Sequence, residues 1–382
     1  AYVLDNLHGL RVFDITTTPA ATIVGNLGLS GDSRQLEIVG SLAYLADGGG
    51  GLKVVDISIP SSPGLLGSVA PFGNQVDVAL QGSFAYVAAE DRGLQIIDVT
   101  NSALPTERGS LDPSYYSAIA VDVQGDHAYL ACGFDGVYAI DITDPDAPLQ
   151  VGHFVLEDDP TGVHLGDAGN VHAAGDHLFV SGYDDGVFVL DITDPSAMSL
   201  VSTFVTPGYV FEVILDGDLA YIADYDGGLQ IADYSDIANP RYLGCADTPH
   251  KRALDIALVG NQVCLADWEG GFHVLPQHCV PSDVPEEDLP ALAAPLTAYP
   301  NPFNPQTTFS FSLEKAAMAR ITVFSADGRP VRTIADRPFA AGPNTCSWDG
   351  RDDRGRGRPS GAYLVRVETA SEIRQSKVML LK

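Results

Sequence analysis

Positive charge is scarce in this chain, and the shortage excludes one class of partner. The 382 residues include 21 Lys and Arg against 50 Asp and Glu, which gives a formal net charge of −29. Nucleic-acid binding needs clustered Lys and Arg that neutralise phosphates, so the sequence argues against DNA or RNA as a partner. Long apolar runs are also missing. None approaches the ~20 residues that span a bilayer, and we expect no transmembrane segment.

Catalytic motifs and regularly spaced cysteines are missing as well. The sequence has no G-x-S-x-G elbow, no H-E-x-x-H, no Gly-rich phosphate loop opening a helix and no C-x-x-C-H. We therefore expect a protein that is not an enzyme. The five cysteines are an odd number without metal-ligand spacing. We predict one disulfide, between Cys264 and Cys279, with buried free thiols as the alternative.

What the sequence does contain is a repeat of about 42 residues. An Ala-Tyr dipeptide or a close variant opens an apolar strand at seven places, namely Ala1, Ala43, Ala85, Ala128, Leu178, Ala220 and Val263. The steps between these starts are 42, 42, 43, 50, 42 and 43 residues. A period of about 40 to 45 residues built from short strands is typical of a β-propeller blade. The spacing predicts an all-β protein with a seven-bladed β-propeller.

Each unit consists of short strands separated by Gly and Pro turns, and no segment keeps a helical period. The third strand ends in Asp in six units, at Asp14, Asp56, Asp98, Asp141, Asp191 and Asp233. A carboxylate there can accept backbone N–H bonds from the turn that follows, so we expect these six residues to be structural.

The units resemble LVIVD-repeat propellers, in which a strand such as GLQIIDVT precedes a Pro-containing turn. The matching segments are Gly51–Ser58, Gly93–Thr100, Gly136–Thr143 and Gly186–Thr193. The resemblance covers residues 1 to about 276. It implies a bacterial or archaeal extracytoplasmic propeller, and no catalytic residue carries over from it.

The two ends of the repeat region are irregular. The chain begins at a second strand and without Met, so we predict a first blade that lacks its inner strand. Removal of a secretory signal would explain this start, and a strand from elsewhere filling the vacant position is the alternative. We place the propeller at residues 1–280 and a Pro-rich, acidic linker at 281–296.

Residues 297–382 are predicted to form a small β-sandwich, because short strands alternate with Gly, Pro and Asp turns. Its motifs are YPNPFNP at 299–305, DGRPVRTI at 327–334, WDGRDDRGR at 348–356, SGAYLVRV at 360–367 and KVMLLK at 377–382. They resemble the Ig-like domain of flagellar hook-capping proteins and the C-terminal sorting domains of type IX secretion. The resemblance implies a secreted protein whose sandwich is either a removable sorting signal or a retained structural module.

Charge is divided unevenly between these regions. Residues 297–382 carry 13 Lys and Arg against 8 Asp and Glu, and residues 1–296 carry 8 against 42. Loops at one face of the predicted propeller, together with three inner-strand positions, collect much of the acid. The candidate face for a ligand or protein partner comprises Asp47, Asp77, Asp135, Asp184, Asp185, Glu212, Asp224, Asp226, Asp255 and Asp267.

The one long insertion, residues 156–169, adds further acid at this face. Oxygen-rich loops suit Ca²⁺, which takes six to eight hard ligands, so Asp158, Asp159 and Asp167 are the candidate calcium ligands. A transition metal held by His164, His172 and Asp167 is the alternative.

These observations favour a secreted, non-enzymatic interaction scaffold at the cell surface or outside the cell. Self-association of the sandwich of one molecule with the propeller of another would join opposite charges. The rival is a carbohydrate-binding or hydrolytic propeller whose site is the acidic face. A deep pocket lined by acids and by Tyr115, Tyr116 and Tyr209 would favour that rival.

Overall fold

A computed structural model describes two stretches of the chain. The first is 1–276, apart from 6–7, 17–20, 30–31, 71–72, 115–116, 157–166, 247–251 and 269–270. The second is 297–380, apart from 300–305, 314, 326–329, 353, 359–360 and 370–372. The chain divides into two compact units, Ala1–Pro281 and Ser282–Lys382, which are treated separately below. The predicted linker at 281–296 lies outside the described residues.

The first unit contains seven antiparallel sheets of sequential strands. The first three sheets comprise β1 (Tyr2–Asp5), β2 (Gly9–Asp14) and β3 (Thr22–Leu27); β4 (Gln35–Val39), β5 (Leu42–Ala46), β6 (Leu52–Asp56) and β7 (Gly64–Ser68); and β8 (Asp77–Gln81), β9 (Phe84–Ala88), β10 (Leu94–Asp98) and β11 (Thr106–Leu111). The next two comprise β12 (Ala120–Gln124), β13 (His127–Ala131), β14 (Val137–Asp141) and β15 (Leu149–Phe154); and β16 (Asn170–Ala174), β17 (His177–Ser181), β18 (Val187–Asp191) and β19 (Ser199–Phe204). The last two comprise β20 (Val210–Asp216), β21 (Leu219–Asp224), β22 (Gly228–Asp233) and β23 (Arg241–Ala246); and β24 (Ala253–Val259), β25 (Gln262–Asp267) and β26 (Gly271–Pro276). One 3₁₀ turn, Pro195–Ala197, precedes β19.

Neighbouring sheets share apolar cores face to face. Leu10 of the first sheet packs in one cluster with Leu45 and Val55 of the second, and the same kind of cluster joins every later pair in order. The aromatic residue of the repeated dipeptide is buried at these interfaces, as Tyr86 and Tyr221 show. Because a buried large apolar side chain contributes about 1.5–3 kcal/mol, the repeated pattern makes each sheet depend on its neighbours.

The first and seventh sheets also meet. The rings of Phe13 on β2 and Phe272 on β26 stack with their centroids 5.0 Å apart. The first and seventh sheets are therefore in contact.

The outer strands approach the next sheet so closely that four of them carry glycine. A Cβ added at the glycine would overlap a backbone carbonyl oxygen in the neighbouring Pro-bearing turn, for Gly25 with Pro60, Gly67 with Ser102, Gly109 with Pro145 and Gly152 with Pro195. The fifth sheet has Ser202 at the same register, and its hydroxyl donates to the carbonyl of Ile237 at 2.6 Å. Backbone therefore packs on backbone at the outer edge.

The Asp residues that end the third strands have the predicted structural role. Each accepts a hydrogen bond at 2.8–2.9 Å from the backbone N–H two residues later, at Asp14, Asp56, Asp98, Asp141, Asp191 and Asp233. Hydrogen bonds from Thr16 lower the pKa of Asp14, and those from Thr193 lower the pKa of Asp191. The turn into the fourth strand is thus fixed by a local carboxylate.

The second unit has two antiparallel sheets. Its strands are β27 (Thr297–Tyr299), β28 (Thr307–Leu313), β29 (Ala317–Ser325), β30 (Pro330–Phe339), β31 (Gly342–Trp348), β32 (Gly361–Thr369) and β33 (Ile373–Leu380). One sheet has the order β27-β28-β31 and the other β30-β29-β32-β33. Phe309 and Trp348 from the first sheet share one core with Ile321 and Val365 from the second. No α-helix occurs in the described residues of either unit.

The close approach of the outer strands predicts unequal effects of the same substitution. We expect Gly109→Ala to lower the free energy of unfolding by about 1–3 kcal/mol, because the new methyl group overlaps backbone that cannot rotate away. Gly244→Ala is the matched control, since Gly244 has the same register in the sixth sheet and its Cβ would meet nothing within 4 Å. Urea unfolding of the full chain measures both. Equal losses would contradict the packing account.

Candidate functional site

The turn between the second and third strands has the same form in every repeat of the first unit. It is five residues long and ends in a glycine whose φ lies between 65° and 92°, at Gly9, Gly51, Gly93, Gly136, Gly186, Gly228 and Gly271. L-residues other than glycine rarely adopt this conformation. The glycine that opens each third strand therefore sets the direction of the turn.

The second residue of the turn pairs with the backbone that enters the next sheet. These bridges join Gly48 to Gln75, Glu90 to Ala118, Gly133 to Ala168, Tyr183 to Val210 and Tyr225 to Ala253. Turns and entry segments consequently lie side by side on one face, which we call the turn face. Glu90 and Tyr183 hold this position with φ of 35° and 49°, as the two non-glycine residues with positive φ among the described residues. Such strain persists where the surroundings fix it, here by the bridge.

Three acids predicted to lie on this face are buried inside their turns. Asp47 and Asp224 have no exposed surface, and Asp267 is 4 % exposed. Asp47 accepts a hydrogen bond from the Ser33 hydroxyl, and Asp267 accepts one at 3.3 Å from the N–H of Arg252. Asp224 accepts bonds at 3.1 Å from the Thr206 hydroxyl and the Gly208 N–H. Because they are buried and bind their turns to the segment that precedes the inner strand of the same sheet, these carboxylates are not available to a partner on the face.

A glycine three residues later makes room for the buried Asp. Three of the four turns with Asp at the first position read D-x-x-G-G, at 47–51, 224–228 and 267–271; the fourth, at 5–9, has His8 in place of that glycine, and its Asp5 is only half-buried. A Cβ on Gly50 or Gly227 would overlap the Asp carboxylate. The turns that begin with Ala89, Cys132 or Gly182 have Arg or Asp instead of that glycine. Sequence inspection could have found this pairing, because it repeats within the chain.

The remaining predicted face acids differ in exposure. Asp184 and Asp226 are exposed, and Asp185 is half-buried. Asp135 accepts bonds from the Ser114 hydroxyl at 2.7 Å and the Tyr138 hydroxyl at 2.6 Å. Burial alone would raise the pKa of Asp135, but these two hydrogen bonds outweigh it and leave the pKa below its ordinary value.

The inner strands hold a second group of acids. Strands β4, β8, β12, β16, β20 and β24 contact one another in succession, and Asp77, Glu212 and Asp255 occupy the same register on three of them. Glu37 and Asp122 lie two positions after that register on their own strands. Each is opposite the tyrosine that recurs in the repeats of this chain, Tyr44 and Tyr129. Sequence reasoning missed these two, although a two-residue offset on a strand keeps a side chain on the same face.

These inner-strand acids join successive sheets. The Asp77 carboxylate accepts from the N–H of Val121 at 2.8 Å, and Asp122 accepts from the N–H of Ala173 at 2.7 Å. Glu212 accepts from the N–H of Ile256 at 2.8 Å. In each case the donor belongs to the inner strand of the following sheet, so the carboxylates act as links between neighbouring repeats.

Burial and mutual repulsion disturb the ionisation of this group. Burial, together with repulsion from Asp122, raises the pKa of both Glu37 and Asp77 to about 7. Burial also raises the pKa of Asp122, against the stabilising effect of the Ala173 N–H and of His172. Burial and the neighbouring Asp255, which shares a hydrogen bond with it, raise the pKa of Glu212 well above its ordinary value. Glu37, Asp77, Asp122 and Glu212 therefore bind protons more tightly than free carboxyls do.

Aromatic side chains form a row on the turn face of the fifth to seventh sheets. The Phe211 ring lies 5.8 Å from that of Tyr183 and 5.5 Å from that of Tyr225. The guanidinium of Arg252 sits 5.7 Å from the centroid of the Tyr225 ring. Next to this row, Tyr209 is 46 % exposed and Trp268 is 65 % exposed. Of these, sequence reasoning had singled out Tyr209; Tyr115 and Tyr116 lie outside the described residues.

The predicted metal ligands and the predicted disulfide lie partly outside the described residues. Asp158, Asp159 and His164 lie outside the described residues, while Asp167 is half-buried at the entry to the fifth sheet. Among the residues that the structure describes, no three His, Cys, Asp or Glu side chains are arranged to hold a metal ion. Calcium binding stays a prediction. Cys264 is a buried free thiol, the alternative given above, and its predicted partner Cys279 lies outside the described residues, so the disulfide also stays a prediction.

Comparison with protein families identifies the repeats. The LVIVD repeat matches at residues 30–70, 72–113, 117–155, 165–206, 207–248 and 251–275, which is more than half of the chain. The chain belongs to the LVIVD repeat family. The FlgD Ig-like domain matches residues 300–372. No curated protein matches the sequence.

Solved structures similar to this chain include β-propellers. The β-propeller domain of Cps50 (Swd1) from Myceliophteria thermophila is 12 % identical with a TM-score of 0.50, over 65 % of this chain and 88 % of that one. A chain of the mitotic checkpoint complex is 12 % identical with a TM-score of 0.59, over 72 % and 85 %. PorZ, a surface component of the type-IX secretion system of Porphyromonas gingivalis, is 13 % identical with a TM-score of 0.49, over 98 % and 63 %. The first two likenesses establish a propeller fold and nothing about activity.

Two features of this site can be tested by stability. The first is the space under Gly227. We expect Gly227→Ala to cost about 1–3 kcal/mol of unfolding free energy, because its methyl group collides with the Asp224 carboxylate. In an Asp224→Ala background the same change is expected to cost much less, a coupling that a double-mutant cycle in urea measures. Additive effects would show that the two side chains do not compete for one space.

The second is the protonation of Glu212. Its folded-state pKa is raised, so the native chain keeps this proton to higher pH than the unfolded chain, and stability falls as pH rises above about 4.5. Glu212→Gln keeps an acceptor for Ile256 and removes the titration. We expect it to flatten the fall in unfolding free energy by up to about 1.4 kcal/mol per pH unit. Asp226→Asn, at an exposed acid of the turn face, is the control; an equal effect there would contradict the assignment.

Proposed function

We propose that this LVIVD propeller is a secreted, non-enzymatic interaction scaffold that binds its protein partner through the turn face. In this proposal the seven sheets of the first unit are seven blades of one ring. The stacking of Phe13 on Phe272 and the shared cores of all successive sheets support the ring. The second unit is proposed to be an Ig-like β-sandwich, supported by the single core that its two sheets share.

The observation that carries the proposal is the concentration of exposed aromatic rings on the turn face. Trp268 is mostly exposed there, and about half of Tyr209 and of Phe134, in the turn of the fourth blade, is exposed. Large exposed aromatic side chains are enriched where proteins bind one another. Asp184 and Asp226 add negative charge beside these rings. The chain therefore offers a partner both apolar contact area and charge on one face.

A binding role also agrees with how the other acids are used. Asp77, Asp122 and Glu212 accept backbone N–H groups of the next blade, and Asp47 and Asp224 accept hydroxyl groups of Ser33 and Thr206, before the inner strands of their own blades. Carboxylates held in this way support the fold and are poorly placed to attack a substrate or to transfer its protons. This argument favours a scaffold over the hydrolytic alternative.

The proposed location is the cell surface or the space outside the cell. The Ig-like domain resembles modules of secreted proteins, and the described residues contain no helix that is long and apolar enough to cross a membrane. The second unit would serve in export or in assembly. Residues 297–382 of this unit carry 13 Lys and Arg against 8 Asp and Glu, so they are opposite in net charge to the first unit.

Site-specific photo-crosslinking tests the proposed face. A benzoylphenylalanine at Tyr209 or Trp268 is expected to give a discrete protein adduct when the full chain is returned to its native source. The matched control is the same residue at Tyr242, which is 49 % exposed but lies on the outer strand β23.

The comparison of positions decides the result. Adducts at Tyr209 and Trp268 without adducts at Tyr242 support the turn face as the contact surface. Adducts at Tyr242 alone, or at none of the three positions, would overturn the proposal.

A further inference from the structure

A continuous patch of rings and carboxylates crosses the turn face of the fifth, sixth and seventh blades. We define the aromatic–acidic patch as Tyr183, Asp184, Tyr209, Tyr225, Asp226 and Trp268. Tyr183 pairs with Val210, next to Tyr209, and Phe211 lies between the rings of Tyr183 and Tyr225. The N–H of Trp268 donates to the carbonyl of Arg252 at 3.0 Å. These contacts link the patch from one end to the other.

The chemistry of the patch suits a guanidinium. Arg252 already places its guanidinium over the Tyr225 ring, so the row of rings accepts a cation. An arginine attracted to an aromatic face by its charge gains further from nearby carboxylates, and Asp184 and Asp226 are exposed beside the rings. A partner that presents arginines in a fixed geometry would fit this surface better than a neutral one.

The second unit carries such an arginine-bearing loop. Residues 351–358 include Arg351, Arg354, Arg356 and Arg358, and a backbone bridge joins Arg351 to Gly357. Buried Asp352 accepts hydrogen bonds from the N–H of Arg354 at 3.0 Å and from the N–H of Arg356 at 2.9 Å. Arg351, Arg354 and Arg356 are exposed. Because these contacts fix the backbone of Arg351, Asp352, Arg354, Arg356 and Gly357, little backbone freedom of these residues would be lost on binding.

We propose that the partner of the aromatic–acidic patch is a second copy of this chain, which inserts its arginine loop, residues 351–358, between the rings and carboxylates. This inference rests on the proposed function. The opposite net charges of residues 1–296, with 8 Lys and Arg against 42 Asp and Glu, and of residues 297–382, with 13 against 8, support it. Patch and loop are different surfaces, so the contact is head-to-tail and extends into chains unless it closes a ring.

Sedimentation velocity of the full chain over a wide concentration range tests this contact. We expect concentration-dependent association at low ionic strength that weakens at least about tenfold at about 0.5 M salt, where exposed charges are screened. Arg354→Glu should weaken association at least about tenfold, because a carboxylate would face the acids of the patch. Arg320→Glu is the matched control, an exposed arginine elsewhere in the same unit that pairs with Asp336.

A mixing experiment separates a head-to-tail contact from any symmetric one. The patch variant Trp268→Ala with Asp226→Ala keeps its loop, and the loop variant Arg354→Glu keeps its patch. Neither should associate alone, whereas an equimolar mixture should form dimers and stop there, because one intact contact remains per pair. Matching circular dichroism spectra and melting temperatures of the variants show that they are folded.

Three results would overturn the proposal. They are a wild-type chain that stays monomeric at every concentration, equal weakening by Arg320→Glu and Arg354→Glu, and a mixture without dimers. A monomeric wild type that still gives photo-adducts from Tyr209 to another protein or to a glycan would remove the second copy as partner. An adduct to another protein would leave the turn face as the contact surface; an adduct to glycan alone would favour the carbohydrate-binding alternative.

Discussion

Contacts to the backbone of the next repeat join successive repeats at three places: the inner strands, the turn face and the outer edge. At the inner strands, a carboxylate such as Asp77 accepts a backbone N–H of the next repeat. At the turn face, the second residue of the turn pairs with the chain entering the next sheet in the second to sixth sheets. At the outer edge, glycines such as Gly109 allow a strand to lie against the neighbouring turn. Apolar cores fill the space between these contacts, so no repeat reaches its final geometry alone.

This arrangement explains how the first unit tolerates so much acid. A net excess of negative charge destabilises a compact state by repulsion, but many of these carboxylates are held by particular donors. The six Asp residues that end the third strands are stabilised in their charged form by the following turn. Glu37, Asp77, Asp122 and Glu212 on the inner strands instead have raised pKa values. Burial and neighbouring acids raise the pKa of Asp77 to about 7. The first unit thus has carboxylates that support the fold and have shifted pKa values, and exposed acids such as Asp184 and Asp226.

The repeats and the strand-ending Asp residues could be predicted from the sequence because both recur in phase. The period gave the propeller family, and the pattern at Asp98 or Asp141 gave its turn chemistry. The sequence did not show which acids of the predicted face are buried. Asp47, Asp224 and Asp267 occur in turns that look exposed in sequence, but a glycine three residues later lets the side chain fold inward. The aromatic row could not be predicted, because Tyr183, Phe211 and Tyr225 come from three segments that meet only through the bridges between blades.

Hydroxyl-radical footprinting of the protein in its native setting, compared with the purified chain at low concentration, tests most directly whether the turn face is a contact surface. The account predicts that oxidation of Tyr209 and Trp268 falls in the native setting while oxidation of Tyr242 on the outer strand stays the same. Equal oxidation of Tyr209 and Trp268 in both samples, or protection confined to Tyr242, would contradict it.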